Sequence, residues 1–297
     1  ANLAIKGAAW AAPPGRTRIV TLATEHACVL DSTRWLGARG FEAVVLPVEP
    51  DGLVDLDRLA RAVDGRTLLV AAMLVNNEIG VVQPVAEIGR IARAAGALFF
   101  CDAVQGFGRM ALPAADLIAA SAHKLHGPKG VGALWMRAGV ALEPLMHGGA
   151  QEGGLRSGTL SPALCAGFGA AVAVAQTRMA ADAAYVKALW ARAQDRLEGW
   201  TLNGSARQRY HGNLNLRREG LDAARLMADA RTVAFSAGSA CASGSGRPSH
   251  VLTALGLTER EARASIRLGF GRDTTAQELD DGLALILAAA ERQRAFA

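Results

Sequence analysis

The residue whose type and surroundings point most directly to chemistry is Lys124, in the segment SAHKLHGPKGVGAL. It follows a run typical of a buried strand and precedes a glycine-rich turn, with Ser121 and His123 beside it. An amine must lose its charge to attack an aldehyde, and burial at a strand end favours that loss. The segment therefore fits a lysine that captures an aldehyde covalently, although an arbitrary lysine is usually a solvated surface residue.

Two other apolar runs also end in polar side chains. ALFFCDAVQGFG ends in Asp102, with Gln105 close behind, and MLVNNEIGVVQP ends in Asn76 and Asn77. A carboxylate at a strand end can pair with a protonated ring nitrogen, and amides can reach a phenolic oxygen or a substrate carboxylate. Taken alone, Asp102 would more often be an Asp that caps the next turn. Three strands that deliver polar groups at the same end are more typical of a ligand site.

Cys241 lies in SAGSACASGSGRPSHVL, a stretch of small residues that predicts a mobile loop. In such a loop a thiolate can reach a substrate and move away again. Cys101 and Cys165 are interpreted as buried apolar residues, since that is the usual place of a lone cysteine. Cys28 is interpreted as a core thiol rather than a pocket residue, and His147 is left without an assigned role.

Alternating strands and helices are predicted over the first half of the chain. Short apolar runs that do not alternate polar with apolar residues indicate strands buried on both faces, and helical patterns lie between them at about 56–63 and 84–95. Asp55 is placed to cap the first of these helices. The pattern predicts an α/β fold with a mostly parallel central sheet and helices on both faces. The predicted strands are RIVTLAT, EAVVLPVE, RTLLVAAMLV, ALFFCDAV, DLIAASA and GALWMR.

A smaller α+β domain is predicted in the C-terminal part. A long Ala-rich helix from Pro162 to about Gly199 carries the chain out of the first domain, and a closing helix starts at about Ala276. We therefore expect domains at 1–178 and 179–297. The start, ANLAIKGAAW, is typical of the middle of a helix, so we expect that part of the large domain precedes the sequence given.

Composition excludes several classes of function. With 51% hydrophobic and 20% charged residues, the 297-residue chain is predicted to be globular, without an apolar run that could cross a bilayer. Four scattered cysteines predict neither a disulfide framework nor a metal site, and they fit the cytoplasm. The net charge of +5 comes mostly from dispersed arginines, which predicts solvated helix faces rather than nucleic-acid binding.

The segments that carry Asn77, Asp102 and Lys124 closely resemble the cysteine desulfurases, and the resemblance runs in order over essentially the whole chain. These are class-V aminotransferase enzymes of the type I pyridoxal-phosphate fold, which implies a cofactor-binding large domain and a small domain that carries the catalytic cysteine. The resemblance also includes TEHACVL at His26, HGGAQEGGLRSGTL at Thr159, SAGSACASGS at Cys241 and ASIRLGFGR at Arg267.

The resemblance implies a role for each matching residue. His26 would stack on the ring of pyridoxal 5'-phosphate, Asp102 would pair with the ring nitrogen and Gln105 would contact the phenolic oxygen. Ser121 and His123 would hold the phosphate, and Thr159 would reach the phosphate in the other subunit of a homodimer. Lys124 would bind the cofactor covalently, with His26, Lys124 and Cys241 as the catalytic residues. Asn77 and Arg267 would engage the substrate carboxylate.

The implied reaction removes sulfur from L-cysteine, giving L-alanine and a persulfide on Cys241. An acceptor or scaffold for iron-sulfur cluster assembly would receive the sulfur, with transient contact between Cys241 and a cluster and no resident metal. The alternatives are a selenocysteine lyase on the same scaffold and a catalytically inactive interaction subunit. A membrane partner is not expected.

Two departures from the family pattern bear on these implications. The family's Gly-Ala-Thr phosphate turn precedes the segment that matches ANLAIKG, so that contact is expected to be missing. Gly246 and Arg247 stand where the family often has Leu-Glu, which predicts a difference in how the loop docks or in partner choice.

Overall fold

A computed structural model describes residues 1–237 and 248–295 of the chain. The chain divides into two compact units: a large unit of Ala1–Pro47, Val54–Val75 and Gln83–Met179, and a small unit of Val48–Leu53, Asn76–Val82 and Ala180–Ala297. Helices and strands are numbered in chain order: α1 Asn2–Trp10, β1 Arg18–Leu22, α2 Ala27–Gly37, β2 Glu42–Leu46, α3 Leu56–Ala62, β3 Thr67–Met73, α4 Val85–Ala94, β4 Leu98–Asp102, β5 Leu117–Ser121, β6 Gly132–Met136, α5 Pro162–Gln194, β7 Thr201–Leu202, β8 Asn213–Arg217, α6 Ala223–Asp229, β9 Ser236–Ala237, α7 His250–Ala254, α8 Glu259–Arg263, β10 Ser265–Gly269 and α9 Ala276–Ala295.

The large unit contains a six-stranded sheet in the order β2-β1-β3-β4-β5-β6. Strands β1 to β5 are parallel to one another, and β6 runs antiparallel to β5. The predicted α/β class with a mostly parallel sheet is therefore confirmed, and all six predicted runs form strands. Because four central strands point the same way, their carboxyl ends lie along one edge of the sheet, where open α/β sheets bind ligands.

Two adjacent phenylalanines on β4 show how helices cover both faces of this sheet. Successive side chains on a strand point to opposite faces. Phe100 packs in a cluster with Ile5 of α1 and Val29 of α2, whereas Phe99 lies against Gly89 of α4. Both rings are fully buried. Each such ring stabilises the fold by roughly 3–5 kcal/mol, judged from Phe→Ala substitutions in protein cores.

The expectation that every strand is buried on both faces was wrong for β2 and β6. In β2 most residues are exposed, and in β6 Trp135 keeps 52% of its surface exposed. Both strands lie at the edges of the described sheet. An edge strand has a neighbour on one side only, so its apolar composition does not ensure that both of its faces are covered.

The small unit is an α+β structure built on a four-stranded antiparallel sheet in the order β7-β8-β10-β9. Its core combines Leu214 of β8 and Ile266 of β10 with Leu189 of α5, Leu226 of α6 and Ile286 of α9. The predicted closing helix is confirmed as α9. The long helix ends at 194 rather than near 199. β9 and the start of α7 fall in the stretch predicted as a mobile loop, and β10 and α8 had no prediction.

Helix α5 corrects one expectation from composition. Of the described helices, it alone is long and apolar enough to cross a bilayer by length and composition, and 11% of its most apolar window is buried. Ala is the commonest residue in the run and is individually a weak hydrophobe, so the run is less conspicuous in the sequence than a Leu-rich one. The observation leaves α5 with an extensive exposed apolar surface.

Candidate active site

Four of the predicted site residues lie at the carboxyl edge of the parallel strands. Asp102 ends β4 and Ser121 ends β5, and Asp102 is paired with Ala119, two residues before Ser121. Lys124 follows β5 in a 3₁₀ turn at Ala122–Leu125, and His26 follows β1 at the start of α2. The amine at 124 and the acid at 102 are therefore carried by neighbouring strands of one sheet.

The Asp102 carboxyl is buried. The residue is 7% exposed, and its Oδ1 accepts a hydrogen bond from the Val104 N–H at 3.0 Å. Among the described residues, no hydrogen bond reaches Oδ2. Burial raises the pKa of Asp102, while the Val104 N–H and the His26 ring act in the opposite direction. A cationic donor placed against this carboxylate would offset the cost of burying its charge.

His26 caps α2 through its ring. Its Nδ1 accepts from the Cys28 N–H at 3.2 Å, so the neutral ring carries its proton on Nε2. Glu25 lies behind it, fully buried, and accepts from the Met73 N–H at 2.7 Å. Burial and the nearby Asp102 raise the pKa of the Glu25 carboxyl well above its ordinary value. These contacts hold the backbone at His26 in place, while His26 itself remains exposed.

Cys28 behaves as a core thiol, as the sequence interpretation favoured. It packs at the margin of the cluster that contains Val29 and Phe100. Burial raises the pKa of the Cys28 thiol to about 11, and Asp102 adds to the effect. A thiol with so little thiolate at neutral pH is a poor nucleophile.

The turn that carries Lys124 is stabilised by local contacts. The Ser121 hydroxyl lies 2.9 Å from Nδ1 of His123, forming a polar pair next to the lysine. His126 adopts a left-handed conformation with φ 65° and ends the turn. The Gly127 N–H then donates to the Ala122 carbonyl at 2.9 Å. Polar side chains and a lysine thus share one short, well-defined segment.

Arg109, which the sequence analysis missed, connects Gln105 with this turn. Its Nη1 lies 3.2 Å from the Gln105 carbonyl and 3.4 Å from the Gln105 side-chain oxygen. Its Nη2 donates to the Lys124 carbonyl at 2.5 Å. The spacing of four residues between Gln105 and Arg109 was the available signal, because such residues are neighbours when the chain turns helically.

Asn77 and Arg267 come together in the small unit. Nη1 of Arg267, on β10, donates to the Asn77 carbonyl at 2.8 Å, and the Asn213 amide donates to the same oxygen at 3.0 Å. The buried Arg209 donates to the Ile79 carbonyl at 3.1 Å and the Asn213 carbonyl at 3.0 Å. Arg209 was also missed, since an arginine that binds only backbone oxygens has no local sequence signature.

A second buried contact holds the same segment of the small unit. The Ser249 hydroxyl donates to the buried carboxylate of Glu78 and accepts from the N–H groups of Val251 and Leu252, which caps α7. The chain on either side of Asn77 is thereby held by side chains from β8, β10 and the start of α7.

Thr159 lies in the loop before α5 and is exposed. The Ser157 hydroxyl closes this loop by donating to the Gly149 carbonyl at 2.7 Å. Thr159 lines an open cavity of about 850 Å³, together with residues of the β6 region and α5. His147 is exposed and makes no hydrogen bond with the described residues.

The remaining cysteines divide into three cases. Cys241, with Gly246 and Arg247, lies outside the described residues. Cys101 is fully buried, as predicted, but Cys165 is exposed, so its interpretation as a buried apolar residue was wrong. Cys165 lies near the start of α5, whose apolar surface is largely uncovered in this chain. Within 1–237 and 248–295, no group of three His, Cys, Asp or Glu could hold a metal ion.

Comparison with protein families and curated sequences gives one consistent answer. The aminotransferase class-V family model matches residues 1–281. Cysteine desulfurase IscS of Rickettsia rickettsii (strain Iowa) is 43% identical over 305 residues, covering 99% of this chain and 74% of that protein. The protein of the same name from Rickettsia conorii (strain ATCC VR-613 / Malish 7) is also 43% identical, over 303 residues.

Solved structures agree with the sequences. A NifS-like protein superposes with a TM-score of 0.91 at 30% identity, covering 98% of this chain and 80% of its own. A NifS-like protein from Rickettsia africae ESF-5 gives 0.85 at 27% identity, covering 98% and 78%. SspA in complex with cysteine gives 0.76 at 33% identity, covering 91% and 78%.

Proposed function

We propose that Lys124 holds pyridoxal 5'-phosphate and that Cys241 accepts the sulfur of L-cysteine. The premise of this proposal is that the chain belongs to the class-V aminotransferase family and is a cysteine desulfurase. The observation that carries the proposal is the common sheet edge from which His26, Asp102, Ser121 and Lys124 emerge. The large domain, proposed as 1–178, would bind the cofactor, and 179–297 would carry Cys241.

The residues present fit this cofactor. Asp102 is buried, its pKa is raised by burial, and among the described residues its Oδ2 lacks a hydrogen bond. A protonated pyridine nitrogen is the kind of donor that such a carboxylate needs. The Ser121 hydroxyl and the His123 ring, 2.9 Å apart, supply polar groups for the phosphate. Gln105 would meet the phenolic oxygen, and the exposed ring of His26 would stack on the cofactor.

The cofactor, when bound, supplies an electron sink that makes the Cα proton of the substrate acidic. The Lys124 amine would accept that proton as a general base. Asp102 would keep the ring nitrogen protonated, so that the sink retains its strength. Asn77 and Arg267 would bind the substrate carboxylate, for which a planar guanidinium suits the two oxygens.

Cys241 would perform the sulfur transfer. Its thiolate attacks the sulfur of the bound cysteine, a sulfur–sulfur bond forms, and the bond between sulfur and Cβ breaks. The electron pair of the broken bond stays with the carbon fragment, which is protonated at Cβ and leaves as alanine. The products are alanine and a persulfide on Cys241, which balances cysteine plus the enzyme thiol.

A homodimer is proposed on two observations. Thr159, matched to a residue that serves the neighbouring subunit, is exposed next to an open cavity. The apolar surface of α5, which includes the exposed Val174, is mostly uncovered in the single chain, and Trp135 and Leu160 add exposed apolar groups in the large unit. A second copy covering this surface would bring Thr159 to the other subunit's phosphate. Exposed apolar area of this extent is typical of an interface.

The sulfur acceptor is proposed to be an iron-sulfur scaffold protein in the cytoplasm, with no membrane or nucleic-acid partner. A persulfide carries sulfur in a transferable form, which a reductant must convert to sulfide before it enters a cluster, and the family resemblance supports this destination. Contact between Cys241 and a cluster would be transient, with no resident metal, as the family resemblance implies.

The deciding experiment incubates purified chain with pyridoxal 5'-phosphate, L-cysteine and dithiothreitol, and measures sulfide and alanine together. Equal amounts of the two are expected. Sulfide accompanied by pyruvate and ammonia, or the absence of both products, would contradict the proposal.

Two variants assign the roles. Cys241→Ser should retain the visible absorbance of bound cofactor but release no sulfide, whereas Lys124→Ala should lose that absorbance. Cys165→Ser is the matched control, because it removes an exposed thiol from a different part of the chain. Normal sulfide release by Cys241→Ser would remove Cys241 from the mechanism.

A further inference from the structure

Arg109 contacts two residues that the proposed function places on the cofactor. It lies in the helical turns after β4, where the N–H groups of Arg109 and Met110 donate to the Gly106 carbonyl at 3.0 and 3.1 Å. From there its guanidinium reaches the carbonyl and side-chain oxygens of Gln105 and, fifteen residues further along the chain, the Lys124 carbonyl.

The contact with Lys124 adds a hydrogen bond from outside the lysine's turn to its backbone. The Ala122 carbonyl accepts from the N–H groups of His126 and Gly127. The left-handed His126 then turns the chain away, and Arg109 supplies the donor for the Lys124 carbonyl at 2.5 Å. Removing a donor from a partly buried carbonyl loosens the segment that contains it.

The contact with Gln105 orients the amide. Arginine has only donors, so the Gln105 group that faces it must be the oxygen. The NH₂ group then points away from Arg109 and is available as a donor. A phenolic oxygen that carries negative charge requires a hydrogen-bond donor. The NH₂ end of the Gln105 amide, which does not face Arg109, can supply it.

We propose that Arg109 is a positioning residue that holds the backbone of Lys124 and sets which end of the Gln105 amide faces the cofactor. The inference rests on the proposed function for its catalytic meaning, but its structural part concerns this chain alone. A lysine would not replace it, because one ammonium group cannot reproduce the planar fork that spans two segments.

Arg16 provides a control with the same chemistry elsewhere in the large unit. It is also partly buried, and its Nη1 donates to the carbonyls of Thr67 and Ala95 at 2.7 and 2.8 Å. Arg16 touches none of the proposed site residues in these contacts. A general loss of stability should therefore appear in Arg16→Lys and Arg109→Lys alike, whereas an effect on the lysine turn should appear only in the latter.

The first test uses protein without cofactor. Lysines are labelled by formaldehyde and cyanoborohydride, and mass spectrometry gives the labelling rate of Lys124 relative to the exposed Lys129 in the same sample. In Arg109→Lys and Arg109→Ala this ratio is expected to rise by about threefold or more, because the turn opens more often. It should stay at the wild-type value in Arg16→Lys. An unchanged or lower ratio in both Arg109 variants would overturn the proposal.

The second test uses the cofactor-loaded enzyme. Arg109→Lys is expected to lower kcat by about tenfold or more, to change KM for cysteine by less than about threefold, and to shift the visible absorbance maximum. A wild-type absorbance maximum together with wild-type kcat would refute the orienting role. If the labelling ratio changes in the Arg109 variants but the wild-type protein releases no sulfide, the positioning role of Arg109 is supported and the proposed function is contradicted.

Discussion

At the scale of single residues, the large unit concentrates buried carboxyl groups beside its strand ends. Glu25 and Asp102 both have pKa values raised by burial, and each raises that of Cys28 as well. Buried acids of this kind cost stability as they ionise, and groups with strongly shifted pKa values are often found at functional sites. The sequence predicted Asp102 but not Glu25, because burial is a property of the folded chain.

Glu25→Gln is expected to change how stability depends on pH. The folded-state pKa of Glu25 is raised, so the native protein holds this proton more tightly than the unfolded chain does. Wild-type stability should therefore fall as pH rises above the carboxyl's ordinary value, and the variant should lack that part of the decline. Thermal unfolding at several pH values between about 5 and 8 would measure it. Exposed Glu87→Gln is the control, and identical profiles for wild type and Glu25→Gln would contradict the expectation.

Arg267→Lys is expected to weaken the binding of cysteine more than its conversion. The variant loses the planar fork that can hold two carboxylate oxygens, so KM should rise by about tenfold or more with kcat within about threefold. Steady-state alanine formation measures both constants. Arg263→Lys, at an exposed ion pair with Glu259, should leave them unchanged. A loss confined to kcat would place Arg267 outside carboxylate recognition.

At the scale of elements, the short turn after β5 has little room for change. A Cβ atom at Gly127 would lie 2.9 Å from the Ala122 carbonyl oxygen and 3.1 Å from the Ala122 Cβ. The glycine-rich pattern after Lys124 was visible in the sequence, and it predicted a turn. The close approach of Gly127 to the Ala122 carbonyl, which leaves little space for a side chain, is visible only in the folded turn.

Gly127→Ala is therefore expected to destabilise the protein by about 1–3 kcal/mol and to lower activity, because the backbone next to Lys124 must shift. Chemical denaturation and sulfide release would measure the two effects. Gly65→Ala is the matched control, since a Cβ there meets nothing within 4 Å. Full stability and activity in Gly127→Ala would show that the turn relaxes without cost.

At the scale of the whole molecule, the uncovered surface of α5 is the feature that a single chain leaves unexplained. A long apolar helix that is 11% buried over its most apolar window would be costly to leave in water. In the proposed homodimer this surface would be covered, and Thr159 would reach the phosphate of the other subunit's cofactor. The proposal therefore links the oligomeric state to catalysis.

Val174→Asp is expected to convert the dimer to monomer and to lower activity together with it, because a charge would be buried in the interface. Sedimentation velocity measures the first effect and sulfide release the second. Leu285→Asp is the control, since Leu285 is equally exposed, at 47%, but lies on α9 in the small unit. A dimer that survives Val174→Asp would place the interface elsewhere.

The sequence by itself determined the α/β class, the six strands of the large unit and the segments that carry Lys124, Asp102 and Asn77. Strand runs, glycine turns and polar residues at strand ends are local patterns, so they can be recognised one segment at a time. Only the tertiary structure decided that β2 and β6 are edge strands, that Cys165 is exposed and that Arg109 binds Lys124. Each of these depends on contacts between residues distant in sequence, and no local pattern specifies which surfaces such contacts cover.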